Sequence, residues 1–253
     1  MKILPLLLVL FCGKISAQKD VKHFIFFNRD RDRIREISFL ENDQLVGAQL
    51  KYVWKELEVD YNVYDFSDIE ADLDFLTNHD KRLFIQLQDV SFGESTSLVP
   101  NYLLEDTIYN GGASQQYELT ETDSIIRKDG FVANRWNEHV QLRFIKLLDT
   151  LGKTFDGKIE GINLPETSVV FGETGRWYPT GFTPLKYRDA ILNQMKALKK
   201  SFGQSIAIQY ANFMPGEWLP GNDMGYLESI YRYAAENGIG MGGPDIKIYR
   251  KAQ

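Results

Sequence analysis

One carboxylate in the sequence stands where a catalytic acid could stand. Residues 160–164 read EGINL and predict a short apolar strand, Pro165 ends that strand, and Glu166 follows directly. A carboxyl group just past the end of a strand could give a proton to a leaving group or take one from water. The other interpretations of Glu166 are a loop residue with a structural role and a residue that positions a substrate.

Other polar side chains also stand at the ends of predicted strands. Amide, hydroxyl and carboxyl groups gathered at one edge of a sheet could hydrogen-bond sugar hydroxyls. Gln86 and Gln88 share one face of their strand, because side chains alternate along a strand. The predicted substrate-binding residues of this kind are Gln86, Gln88, Asp89, Asn163, Gln209, Tyr210 and Asn212.

Three tryptophans are candidates for stacking on a sugar ring. They are Trp54, Trp177 and Trp218, and they stand in or beside polar stretches, some of which contain glycine and proline. Aromatic rings in such places often present an apolar face to a ligand. The alternative for each of them is packing beneath a loop.

Apolar stretches and helical patterns alternate along the chain. Six apolar stretches that end in polar residues predict strands at 23–27, 45–54, 82–88, 159–164, 205–211 and 238–243. Apolar residues spaced by three or four predict a helix over 32–42 and further helices that begin near Ser67, Asn137, Thr183 and Asp223. Ser67 and Glu70 form a predicted capping box, and Gly152, Gly203 and Gly238 are the predicted helix ends. Residues 89–135 read as a long irregular stretch, which is usually functional or disordered.

This alternation predicts an α/β fold with a parallel sheet covered by helices. A closed eight-fold barrel and an open doubly wound sheet both fit. No Gly-x-Gly-x-x-Gly turn follows the first strand, which disfavours a dinucleotide fold. Polar residues at several strand ends favour the (β/α)8 barrel, which builds its active site there. The chain holds about six of the eight strand–helix units.

The N-terminal residues predict a secretory signal. Met1-Lys2 is basic, residues 3–11 are almost wholly apolar, and small polar residues lead to a plausible cleavage site after Ala17. We therefore expect a signal peptide over 1–17, a domain over 18–253, and a secreted or periplasmic protein. A buried N-terminal strand and a lipid anchor at Cys12 are the alternatives. A stretch this short does not span a bilayer.

Composition narrows the classes of function. Cys12 is the single cysteine, so no disulfide framework is expected in a cleaved chain. The three histidines are far apart, which predicts no metal site, and nothing implies a cofactor. The net charge is −6 and no basic patch alternates with aromatics, which argues against nucleic acid as a partner. The oligomeric state stays open.

Two segments resemble a known clan of enzymes. Residues 47–76 combine a strand with Trp54, Leu57-Glu58 and Tyr64-Asp65-Phe66 ahead of a helix. This segment resembles the second strand–helix unit of the retaining glycoside hydrolases with (β/α)8 barrels, the cellulase-like and β-galactosidase-like families. Residues 81–89 resemble the third strand of the same clan. The chain as a whole looks most like a secreted bacterial branch of it.

The resemblance implies roles for two carboxylates. In the clan the fourth strand ends in Asn-Glu, with the glutamate as acid/base, whereas this chain has Asn163-Leu-Pro-Glu166 with two extra residues. The second carboxylate of the clan follows the seventh strand, and the sixth is the last predicted here. We therefore expect a barrel that is incomplete at the C-terminus. Within the chain, the candidates for that carboxylate are Asp245, which is the best placed, Glu217 and Glu173.

Three functions follow from these patterns. The first is a secreted glycoside hydrolase that acts on an oligosaccharide or polysaccharide, with Glu166 and Asp245 as its catalytic residues. The second is a carbohydrate-binding protein without turnover, on a degenerate or truncated barrel. The third is a scaffold or interaction protein with the same fold, because a fold does not fix a function.

Overall fold

The computed structural model describes residues 21–93, 96–119, 126–172, 175–217 and 221–243. The predicted signal peptide therefore lies outside the described residues, and so do Glu173, Trp218 and Asp245. Within the described ranges, no helix combines the length and the apolar character needed to cross a membrane.

Strands and helices alternate as the sequence predicts. In chain order the strands are β1 (His23–Asn28), β2 (Leu45–Val53), β3 (Glu58–Asp60), β4 (Val63–Tyr64), β5 (Arg82–Gln88), β6 (Ala113–Leu119), β7 (Ile126–Ala133), β8 (Gly161–Leu164), β9 (Ile206–Tyr210) and β10 (Gly240–Gly242). The helices are α1 (Ile37–Leu40), α2 (Trp54–Leu57), α3 (Ser67–Thr77), α4 (Asn101–Glu105), α5 (Glu138–Phe155), α6 (Pro184–Ser201) and α7 (Tyr226–Asn237).

Six of these strands form one sheet in the order β1-β2-β5-β8-β9-β10. Every neighbouring pair is parallel, and the spatial order equals the chain order. This is the arrangement of consecutive units in a (β/α)8 barrel, with helices in the connections. The prediction of a (β/α)8-type barrel with about six units is confirmed.

The two faces of the sheet have different partners. On β5, Leu83, Ile85 and Leu87 are buried in the core that the helices cover. The alternate residues Phe84, Gln86 and Gln88 lie on the opposite face, which is here called the inner face. The register places Gln86 beside Asn163 of β8, so polar side chains of neighbouring strands lie side by side on the inner face.

Helix ends follow local capping chemistry. The Asn137 side chain accepts hydrogen bonds from the backbone N–H groups of His139 and Val140, and Thr183 accepts one from Lys186. These are the predicted caps of α5 and α6. The predicted capping box of α3 is wrong, because Ser67 lies inside the helix and its N–H is bound by Asp65.

Two longer segments differ from the sequence-based expectation. The predicted helix over 32–42 is split into a 3₁₀ turn, Arg31–Arg35, and the single turn α1, because Glu36 between them is extended. The stretch 89–135 is not simply irregular, since it contains α4, a 3₁₀ turn at Thr107–Tyr109 and the antiparallel pair β6–β7.

The sequence predicts that Gly152 ends its helix, and this prediction is wrong, because α5 continues to Phe155. A Cβ atom at Gly152 would lie 2.3 Å from the carbonyl oxygen of Ser201. Gly152 therefore sits where the backbone of α6 passes close to α5, and the absence of a side chain is what permits this distance.

We expect Gly152→Ala to lower the free energy of unfolding by about 1–3 kcal/mol, because overpacking outweighs the gain in helix propensity. Gly203→Ala is the matched control, since a Cβ there would meet nothing closer than Asp156 at 3.9 Å. The control should change stability by less than about 0.5 kcal/mol. Urea unfolding of both variants makes the comparison, and equal stabilities would contradict this account of Gly152.

Candidate functional site

A hydrogen-bonded cluster of polar side chains lies on the inner face of the sheet. The Gln49 Nε2 of β2 donates to the Oδ1 of Asn163 at 2.6 Å and to the hydroxyl of Tyr210 at 3.0 Å. Gln86 of β5 lies next to Asn163 and is largely buried, and its Oε1 has no hydrogen-bond partner among the described residues. Four strands, β2, β5, β8 and β9, thus contribute to one neutral polar surface.

Glu166 lies at the carboxyl edge of the sheet, two residues after β8 ends, and it is partly buried. The segment that carries it is tied to the neighbouring strand, because Thr167 N–H donates to the carbonyl of Tyr210 and the Thr167 hydroxyl donates to the carbonyl of Phe213. A guanidinium N–H of Arg135 also donates to the backbone carbonyl of Glu166 at 3.0 Å. These bonds fix the backbone that positions the carboxylate.

The side-chain amide of Asn212 holds the Glu166 carboxylate. Its Nδ2 lies 2.6 Å from the Oε2 of Glu166. On the other side, the Asn212 Oδ1 accepts backbone N–H bonds from Ser168 at 3.0 Å and from Phe213 at 2.9 Å. Because backbone N–H groups only donate, the amide oxygen must face them and the NH₂ group must face Glu166. The orientation of this amide is therefore set by the chain itself.

A buried ion pair lies behind Glu166. Arg135 binds Asp89 through two parallel bonds, Nε to Oδ2 at 2.9 Å and Nη2 to Oδ1 at 2.5 Å, and both side chains are 1% exposed. The same guanidinium donates to the hydroxyl of Tyr187 at 2.6 Å. Burial raises the pKa of Tyr187 to about 12, although Arg135 acts in the opposite direction, so this hydroxyl stays protonated at neutral pH.

The β6–β7 hairpin is attached above this edge. Gln116 is fully buried, its Nε2 donates to the carbonyl of Ser91 at 2.8 Å, and its Oε1 accepts the N–H of Val170 at 2.9 Å. One side chain thereby joins the hairpin to the segments that follow β5 and β8. Tyr117 adds a ring contact with Trp177, with 5.4 Å between the centroids.

Comparisons with known proteins find similarity in structure and not in sequence. No protein-family model matches the sequence, and no curated protein matches it. A xylanase from Paenibacillus barcinonensis, in complex with a conduramine derivative, is similar with a TM-score of 0.52 and 13% identity. A thermostable mutant of a xylanase from Cellvibrio japonicus is similar with a TM-score of 0.51 and 9% identity.

Each of these two matches covers 88% of this chain and 59% of the xylanase chain. The chain therefore spans about three-fifths of the length of these two proteins. At such low identity the likeness shows the fold alone. The fold is a partial (β/α)8 barrel, as found in glycoside hydrolases.

The structure brings together several of the predicted site residues. Gln86, Asn163 and Tyr210 lie on the inner face, and Glu166 and Asn212 bind each other at the carboxyl edge. Gln88 is at the same edge, where its Oε1 accepts a bond from Arg29 and its Nε2 donates to the carbonyl of Val90. Trp177 is partly buried, and its Nε1 has no hydrogen-bond partner in the described part of the chain.

Three other predicted residues have positions that do not suit contact with a sugar. Trp54 is 1% exposed and donates its Nε1–H to the buried carboxylate of Glu58. Gln209 is fully buried and donates to the carbonyls of Pro165 and Tyr210. The carboxylate of Asp89 is enclosed with Arg135. All three therefore support the fold, because burial keeps their side chains from a ligand in solvent.

Glu217, a candidate for the second carboxylate, has a structural position. It is 3% exposed, and its carboxylate accepts the backbone N–H groups of Met224, Tyr226 and Leu227 at 2.9–3.2 Å. It thus caps the start of α7, where a negative charge is favourable. The residue at the cap position itself, Gly225, has no side chain for this purpose.

We expect Glu217→Ala to lower the free energy of unfolding by about 1–2 kcal/mol, as the loss of a helix cap does, with no change in any hydrolytic activity of the folded protein. Glu228→Ala is the control, since Glu228 is exposed and pairs with Arg232 one turn away, and it should cost less than about 0.5 kcal/mol. Thermal unfolding and turnover are measured on the same samples. Activity abolished in a stable Glu217→Ala protein would assign Glu217 to catalysis instead.

Some residues that build the site are absent from the sequence-based prediction. Gln49 could have been found, because it alternates with the buried residues Ala48 and Leu50 of β2 and so must face the other side. Arg135 and Gln116 carry no such signal, since their partners are distant in sequence. Among the described residues, no group of three or more acidic, histidine or cysteine side chains is arranged to hold a metal ion.

Proposed function

We propose that the protein is a glycoside hydrolase that acts on an oligosaccharide or polysaccharide, with Glu166 as its acid/base. The observation that carries the proposal is the position of Glu166 at the carboxyl end of the fourth strand of a partial (β/α)8 barrel, with its Oε2 bound to Asn212. Active sites of such barrels are built at this edge. The amides of the inner face would hydrogen-bond sugar hydroxyls.

Hydrolysis of a glycosidic bond needs a second carboxylate opposite the acid. Two described carboxylates near this edge are engaged in structural bonds, Asp89 with Arg135 and Glu217 with the start of α7. We propose Asp245 for this role, because it follows β10 by three residues in the sequence.

The engagement of Asp89 and Glu217 favours a second candidate function. A protein that keeps the neutral polar surface of Gln49, Asn163 and Tyr210 but has no second carboxylate would bind a carbohydrate without cleaving it. Glu166 would then accept hydrogen bonds from sugar hydroxyls.

A panel of nitrophenyl glycosides and of xylo-, manno- and cello-oligosaccharides tests both functions. Turnover is measured by product release, and binding is measured by titration calorimetry on the same preparation. Turnover supports the hydrolase, and binding without turnover supports the carbohydrate-binding protein. A preparation that neither binds nor cleaves any member of the panel would contradict both.

We also propose that the protein acts outside the cytoplasm. The support is the sequence of residues 1–17, with its basic start, apolar stretch and small residues before the proposed cleavage site. The mass of the protein recovered from the periplasm of a bacterial host tests this, because cleavage after Ala17 removes a defined mass. A full-length mass in the cytoplasmic fraction would contradict it.

A further inference from the structure

A cleft of about 210 Å³ opens next to the segment that carries Glu166. It lies between the β6–β7 hairpin, the segment after β8 and the segment after β9, and Ser168 is the lining residue closest in sequence to Glu166. Its walls are mostly apolar. Five of the described residues that supply the apolar surface are Phe171, Tyr178, Phe213, Met214 and Pro215.

The cleft is connected to Glu166 through Asn212. The amide of Asn212 donates to the Glu166 carboxylate on one side, and on the other it accepts the N–H groups of Ser168 and Phe213. Both of these residues line the cleft. One planar amide therefore separates the proposed acid from two residues of the cleft wall, so the cleft lies close to Glu166.

The lining offers few charged or polar side chains that could hydrogen-bond a second sugar ring. Glu118 is the charged side chain among the described lining residues, and it is exposed and paired with Arg127 at 2.9 Å. Burial, reinforced by Tyr226, raises the pKa of Tyr178, so that its hydroxyl is neutral at physiological pH. Phe213 is 55% exposed, which leaves part of its ring surface accessible. Apolar cavities of about 150 Å³ are large enough to bind benzene, so this cleft can hold one substituted aromatic ring.

We infer that this cleft binds the leaving-group part of the substrate and that this part is an aromatic or similarly apolar aglycone. The inference rests on the proposed function of Glu166. In the reaction the Glu166 proton passes to the glycosidic oxygen as the bond from that oxygen to the sugar carbon breaks. The aglycone leaves as its alcohol, and water supplies the hydroxyl group of the sugar and the proton that restores the acid.

Three glycosides that share one sugar test the inference: the 2-phenylethyl glycoside, the methyl glycoside and the corresponding disaccharide. All three release an alkoxide-type leaving group, so differences among them report the aglycone site more than the acidity of the leaving group. Glucose, xylose and mannose series are run in parallel. We expect kcat/KM for the 2-phenylethyl glycoside to exceed both others by about tenfold or more, the size of a favourable apolar contact.

Phe213→Ala should reduce this preference to about threefold or less, because it removes an aromatic wall of the cleft. Phe92→Ala is the matched control, since Phe92 is also an exposed aromatic, 40% accessible, but does not line the cleft. The control should keep the wild-type preference. A preference for the disaccharide, or a preference that survives in Phe213→Ala, would overturn the inference.

Calorimetric binding of the same three glycosides separates this inference from the proposed function. Selective binding of the 2-phenylethyl glycoside without turnover would refute the hydrolase and support the apolar cleft. Turnover of all three at equal kcat/KM would support the hydrolase and refute the apolar aglycone. Absence of both binding and turnover would overturn both.

Discussion

Glu166→Gln should lower kcat/KM for 2-phenylethyl glycosides by about 10²–10⁴-fold, the usual contribution of a general acid. Glutamine has nearly the same shape and can still bind Asn212 through its amide oxygen, so the fold and the Asn212 contact are kept. What disappears is the proton that the leaving alkoxide requires. Steady-state kinetics on the wild type and the variant give the measurement.

Glycosides with a dinitrophenyl leaving group provide the control for Glu166→Gln. A dinitrophenolate departs without being protonated, so the first step of hydrolysis does not need the acid. The variant should lose much less activity on these substrates than on 2-phenylethyl glycosides. An equal loss on both kinds of substrate would indicate a structural role for Glu166, and activity retained on both would refute its assignment as the acid.

Arg135→Met should lower the free energy of unfolding by about 3–5 kcal/mol, because it leaves the carboxylate of Asp89 buried without a counter-charge. The substitution also removes the bonds to the Tyr187 hydroxyl and to the Glu166 carbonyl. Urea unfolding measures the change. Arg232→Met is the control on an exposed pair with Glu228, and it should cost less than about 1 kcal/mol.

The double variant Arg135→Met with Asp89→Leu sharpens the test of the buried pair. Removing both charges avoids the penalty of an unpaired one, so the double variant should be more stable than Arg135→Met alone. If the double variant lost as much stability as Arg135→Met and Asp89→Leu lose separately when summed, the ion pair would not be the cause of the destabilisation. If Arg135→Met alone cost less than about 1 kcal/mol, the carboxylate would not be isolated from solvent as the structure places it.

The strands and long helices of the fold could be predicted from the sequence because their signals are local. The apolar run 82–88 matches β5 residue for residue, and Asn137 and Thr183 mark the starts of α5 and α6. The split of residues 32–42 was not predictable from apolar spacing, since the extended conformation of Glu36 does not alter that spacing. The β6–β7 hairpin was missed because Asp129-Gly130, a sequence typical of turns, interrupts the apolar–polar alternation within β7.

The site was predictable only where strand position decides exposure. Glu166, Asn163 and Asn212 follow from the rule that strand ends meet at one edge. The structural role of Asp89 does not follow from that rule, because its partner Arg135 lies 46 positions later in the sequence. Trp54 reads as a surface aromatic, yet its indole N–H is bound to Glu58, which is itself paired with Arg143 of α5. Contacts at such separations leave no trace in local composition.

The fixed amide of Asn212 has a consequence for the two oxygens of Glu166. An N–H group donates well to the carbonyl oxygen of a carboxylic acid and poorly to its hydroxyl oxygen. Since the NH₂ group of Asn212 faces Oε2, this bond by itself favours Oε1 as the oxygen that carries a proton. The Asn212 bond thereby makes the two oxygens inequivalent before any substrate arrives. In the proposed hydrolysis, the oxygen that Asn212 does not bind would be the one that gives up the proton.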